Sequence, residues 1–175
     1  MFGDAINKIP TQWEERGGYT GFARHVHKAA SPYPDAPIHP EIWKGVRPNT
    51  SANAHLILKA TELSYGKEKS IELALSIRKA FFVDCRDIGH LDVLFTLIDA
   101  AGMDTKRVNN ALSDGRALAL LMADYQQAKA QSLKGSPSYI IDNGRQTLYG
   151  NVGYRVLLAN IEEHINQPTE AASWC

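Results

Sequence analysis

The side chains able to do covalent chemistry are few. The chain has two cysteines, Cys85 and Cys175, and six histidines among 175 residues. A redox or nucleophilic cysteine acts as the thiolate, which is favoured at a helix N-terminus or beside a cation. Cys85 has neither: it follows "FFVD" at the end of a predicted helix, with Asp84 and Asp87 close in sequence, a field that raises a thiol pKa. It reads as a half-buried structural thiol. Cys175 ends a polar tail and is expected to be an exposed terminal thiol. The pair makes no CxxC, no disulfide framework and no zinc motif.

The histidines offer no more. His25 and His27 are two residues apart, so on a helix they point apart and do not share a metal. His39, His55 and His90 belong to no recognisable Ser, His and Asp spacing, and His55 lies in an apolar helical run, as a satisfied, partly buried histidine does. "GRQTLYGNVG" lacks the strand-to-helix phosphate fingerprint. Trp13, Trp43 and Trp174 form no repeat that would make a stacking platform. No catalytic residue is identified, and neither a metal nor a cofactor is called for.

"GSPSYIID", residues 135–142, is more telling. Pro137 stands at the start of an apolar, β-branched strand, where it removes a ladder hydrogen bond. Either it is an ordinary trans proline beginning an edge strand, or it is a cis proline kept for a purpose. Ser136 and Pro137 are the candidate substrate-binding residues.

The elements that would position this stretch follow from periodicity. Residues 1–48 read as irregular, rich in turn formers, with one helix, "TGFARHVHKAA", capped by Thr20 and presenting Phe22, Val26 and Ala29. Residues 49–133 are helical almost throughout. One helix starts at Asn49, Thr50 or Ser51 and stops at Gly66. A second puts Ile71, Leu75, Arg78 and Phe82 on one side, with Ala74, Ile77 and Phe81 beside them. A short apolar helix closes at Gly102, another is capped by Asp104, and a longer one follows a break at 113–115. Residues 134–166 change period: "SYIID", an Asn-Gly turn and "RQTLYG" signal a hairpin. An amphipathic helix then carries Val156, Leu157, Ala159, Ile161 and Ile165, with Glu162 and Glu163 outward. Residues 167–175 are a tail.

Composition bounds the partners. The chain is 44% hydrophobic and 22% charged, with 19 basic against 19 acidic side chains. That balance gives no electrostatic reason for nucleic acid or an anionic membrane as partner. No apolar run spans a bilayer and no secretory leader is evident, so a cytoplasmic location is expected.

The order of helical block, Ser-Pro, hairpin and last helix resembles the DsbA-like thioredoxin-fold family. That family includes FrnE-like oxidoreductases, 2-hydroxychromene-2-carboxylate isomerases and kappa-class glutathione transferases. The similar stretches are "RPNTSANAHLILKA", "RKAFFVDCRDIGHLDVL" and "LKGSPSYIIDNGRQTLYGNVGYRVLLANI", with "IHPEIW" upstream. The resemblance implies an α/β, thioredoxin-like fold with a large inserted all-helical subdomain, and a cis Pro137 whose neighbour Ser136 pairs with bound substrate. It also implies a strand and a helix bearing the reactive cysteine pair, which would precede "MFGD". The fold is therefore expected to be N-terminally incomplete.

Three functions follow as expectations. One is a thiol–disulfide oxidoreductase in a shortened form without its cysteine pair. Another is a non-catalytic module that binds peptide by strand addition. The third is an isomerase or glutathione-dependent transferase of the same superfamily. The partner is a thiol- or disulfide-containing peptide or a small thiol. A lone hairpin is marginal, so its open edge is expected to expose Tyr139 or Ile141 and to support a homodimer.

Overall fold

A computed structural model describes residues 4–133 and 135–166. The chain divides into two compact units, one of Phe2–Ala123 and the other formed chiefly by Asp124–Cys175.

The first unit begins with α1 (Ala5–Gln12), a 3₁₀ turn (Glu14–Arg16) and α2 (Gly18–Ala30). Sequence periodicity misses α1, because Pro10 lies inside it and only Ile9 is buried. Its start is pinned to the segment just before the helix that begins at Ala52: Asp4 bridges Thr50, and the Ile6 N–H donates to the Asn49 carbonyl at 3.1 Å. α2 starts two residues before the expected cap. Gly17, left-handed at φ 91°, precedes it, and Thr20 lies within the first turn. The buried residues of α2 are Gly21 and Ala23, whereas Phe22 and Val26 are half-buried and Ala29 is exposed. The 3₁₀ turn selects glycine at position 21, because Gly21 sits against the Arg16 carbonyl with no room for a side chain.

An aromatic chain fastens this segment to the helices that follow. Trp13 meets Phe22 edge-on at 5.2 Å, Phe22 meets Trp43 at 5.2 Å, and Trp43 meets Phe81 at 5.1 Å. Offset and edge-to-face pairs at this spacing are the favoured aromatic geometries.

Four helices then build the core: α3 (Ala52–Tyr65), α4 (Lys67–Phe82), α5 (Leu91–Ala100) and α6 (Thr105–Ser113). Gly66 ends α3 with φ 90°, which costs glycine nothing, and α4 folds back at once. The Ser70 hydroxyl ties the two by donating to the Leu58 carbonyl at 2.9 Å. Ile57, Leu73, Leu94, Ile98 and Val108 are fully buried between them, with Ala54, Ala60, Ile77 and Ala111 around. Asp104 caps α6 by accepting from the Lys106 N–H at 2.8 Å.

The buried face of α4 differs from the expected one. Ser70, Leu73, Ile77, Ala80 and Phe81 point inward, while Ile71 and Leu75 are 60% and 53% exposed. Apolar residues surround much of α4, so packing against α3, and not periodicity, selects the face.

α7 (Arg116–Ala130) carries the chain across the boundary between the units. The second unit holds β1 (Ser138–Ile141), β2 (Gln146–Tyr149) and α8 (Tyr154–Asn166). The strands pair antiparallel, Ser138 with Tyr149 through Ile141 with Gln146, and form the sheet of two strands seen among the described residues. The connection is a four-residue loop, Asp142–Arg145, and not the two-residue Asn-Gly turn the sequence suggests. Asp142, Asn143 and Gly144 are all left-handed, at φ 53°, 50° and 100°. The Arg145 guanidinium bonds the Asp142 carboxylate across the loop, which holds these two residues out of the strands.

Candidate substrate-docking site

The site is built at the open end of the hairpin. Pro137 has no N–H, so it can begin β1 but cannot lie within a ladder. Its carbonyl still accepts from the Gly150 N–H at 3.0 Å, which adds one rung beyond the Ser138–Tyr149 pair. The Ser138 hydroxyl donates back to the Gly135 carbonyl at 2.6 Å and closes a small loop around the proline. The Ser136–Pro137 peptide bond is cis.

Ser136 is exposed, and neither its backbone N–H nor its carbonyl takes a hydrogen bond among the described residues. One donor and one acceptor therefore stand ready in line with a strand. An extended chain laid beside Ser136 would satisfy both, as in strand addition. At the far end of the ribbon, His164 Nδ1 lies 3.8 Å from Asp142 Oδ1 and links α8 to the loop.

Tyr139 and Ile141 are half-buried, contrary to the expectation that the hairpin leaves one of them exposed. Most of the exposed large apolar side chains of this unit lie on α8. None of its residues is buried, and Val156, Ile161 and Ile165, expected to face a core, are exposed. Of that expected apolar set Leu157 is half-buried, as are Leu158, Asn160 and His164.

Cys85 belongs to the first unit, three residues beyond the end of α4, and is half-buried. Its backbone is left-handed at φ 53°, and the Arg86 N–H closes the helix end on the Ala80 carbonyl at 2.8 Å. Burial pushes the thiol pKa up, and the Glu41 carboxylate pushes it further the same way. The direction agrees with the sequence argument, but the cause is burial and Glu41, not Asp84 and Asp87. Glu41 is distant in sequence and reaches Cys85 only through the fold. Cys175 lies outside the described residues.

His25 and His27 part as helical spacing requires. His25 tilts against Trp13 at 5.0 Å, and the buried His27 Nε2 has no hydrogen-bond partner among the described residues. Among the described residues no three His, Cys, Asp or Glu side chains gather to hold a metal, and no helix is long and apolar enough to cross a membrane.

A family model described as "Thioredoxin" matches residues 11–157, and the chain belongs to that thioredoxin family. No curated protein matches it. Among solved structures, a provisionally assigned protein disulfide isomerase from Nitrosomonas europaea aligns with a TM-score of 0.67 at 18% identity. The alignment covers 83% of this chain and 74% of that one. The shared architecture is a thioredoxin-like α/β fold with a large helical insertion.

Proposed function

We propose that this protein serves thiol–disulfide exchange as a DsbA-like member of the thioredoxin family, and that Ser136 and Pro137 hold an extended, cysteine-bearing polypeptide by backbone pairing. The exposed Ser136, with its N–H and carbonyl both unengaged at the head of β1, carries this reading. Family membership supports it, as does the fold shared with the Nitrosomonas protein. Burial and the Glu41 carboxylate raise the Cys85 thiol pKa, which disfavours its thiolate. That observation favours a docking role for the described residues, with or without a cysteine pair from elsewhere.

The test is binding of a fluorescent, carboxymethylated insulin B chain, an extended polypeptide without free thiols. Ser136→Ala keeps both backbone groups and should bind as the unmodified protein does. Ser136→Pro removes the N–H and should weaken binding about fivefold, the loss expected for one hydrogen bond worth about 1 kcal/mol. Absence of binding, or equal binding by both variants, would overturn the proposal. Reduction of intact insulin by dithiothreitol then separates exchange from docking alone: acceleration by the chain marks an exchange catalyst, and the uncatalysed rate marks a docking module.

A further inference from the structure

The least covered apolar surface of the second unit is one face of α8. At about 100° per residue, Tyr154, Leu158, Ile161 and Ile165 fall on a single stripe. Tyr154 is 75% exposed, Ile161 46% and Ile165 71%, while Leu158 is half-buried. The flank about a quarter-turn away, through Leu157, Asn160 and His164, is the one the hairpin shelters. Four apolar residues over three turns, with their outer members in water, is the pattern of a helix waiting for another helix.

The charges beside the stripe indicate which helix. Arg155 and Glu162 lie on the same flank, about two turns apart, and both are exposed. When two copies of α8 pack antiparallel about a twofold axis between Leu158 and Ile161, Tyr154 faces Ile165 of the second copy and Leu158 faces Ile161. The shared flank then meets itself in reverse, bringing Arg155 of each copy within a turn of Glu162 of the other. In a parallel pairing the twofold axis runs along the helices, so this flank would face the Leu157, Asn160 and His164 flank of the other copy and Arg155 would meet no Glu162.

The geometry points to a twofold-symmetric homodimer made by antiparallel packing of α8 against α8. This surface is distinct from Ser136 and stands whether or not Ser136 binds polypeptide. One helix pair of this length buries less than the roughly 1,200 Å² typical of stable complexes. The dimer is therefore a weak one, with a dissociation constant on the order of micromolar.

Sedimentation velocity of the full chain tests this, with reductant present so that Cys175 does not cross-link copies. The weight-average mass should rise toward that of two chains as concentration increases through the micromolar range. Ile161→Glu should hold the protein monomeric. Arg155→Glu alone should weaken association about fivefold or more, through two like-charge contacts at exposed positions. Arg155→Glu with Glu162→Arg should restore it. All these positions are exposed, and circular dichroism checks that each variant folds. A protein that stays monomeric throughout overturns the proposal, even if it captures a different amphipathic helix. So does a dimer indifferent to Ile161→Glu, or a double exchange that fails to restore pairing.

Discussion

The hydroxyl of Tyr65, the last residue of α3, accepts the backbone N–H of Asp104 at 2.9 Å, and Asp104 is the residue that caps α6. Arg107, in the first turn of α6, lies over the same tyrosine ring at 4.6 Å. One side chain thus joins the end of one helix to the start of another. Tyr65→Phe should lower the stability of the helical unit by about 1 kcal/mol, and Asp104→Ala by about 0.5–2 kcal/mol. Because the two act through one network, the double variant should cost less than the sum. Urea unfolding midpoints measure all three, and additive losses would show that the bond does not couple the helices.

Thr61 is fully buried in α3, and its hydroxyl oxygen has no hydrogen-bond partner among the described residues. A buried hydroxyl left unpaired costs about 1–3 kcal/mol. Thr61→Val keeps the shape and removes the polar atom, so it should raise the urea midpoint without changing the slope. A lower midpoint would mean that the hydroxyl is satisfied in solution.

Gly21 in α2 lies so close to the Arg16 carbonyl that a methyl group would overlap it. The obstacle is backbone, which cannot swing aside. Gly21→Ala should therefore destabilise the protein by about 1–3 kcal/mol. Gly45→Ala is the control, since its methyl would meet Glu41 Cβ at an ordinary 3.6 Å. Equal melting temperatures for the two variants would refute the steric argument.

The raised pKa of Cys85 predicts slow alkylation. In a Cys175→Ser background, iodoacetamide should react with the folded protein more slowly at neutral pH than with the unfolded chain, and the rate should climb at higher pH. Glu41→Gln should lower the midpoint only partly, because burial is the larger cause. The folded state holds this proton after the unfolded chain releases it. The stabilisation it contributes is present below the ordinary thiol pKa and is lost as pH rises toward the folded value. Alkylation as fast as that of the unfolded chain would show the thiol to be open and unperturbed.

Local signals located much of the fold. The glycine at 66 and the aspartate at 104 mark helix ends by their own conformational and capping chemistry, and both ends fall where the structure has them. Pro137 marks the head of β1 for the same kind of reason. The signals failed where a distant partner decides. α4 could bury several faces, and only α3 selects Leu73 and Ile77 over Ile71 and Leu75. The hairpin loop is lengthened by the Asp142–Arg145 pair, which a dipeptide rule does not see. At the site, Ser136 and Pro137 were legible, but the influence of Glu41 on Cys85 was not, because the two lie far apart in sequence and only the fold brings them together.

The helical core closes among elements that are neighbours along the chain, from Ala54 to Ala117. Contacts of short sequence separation form fast, and N-terminal parts fold first during synthesis. A nascent chain halted after α7 should already carry a protease-resistant body, so the hairpin and α8 would emerge only after the helical core has closed.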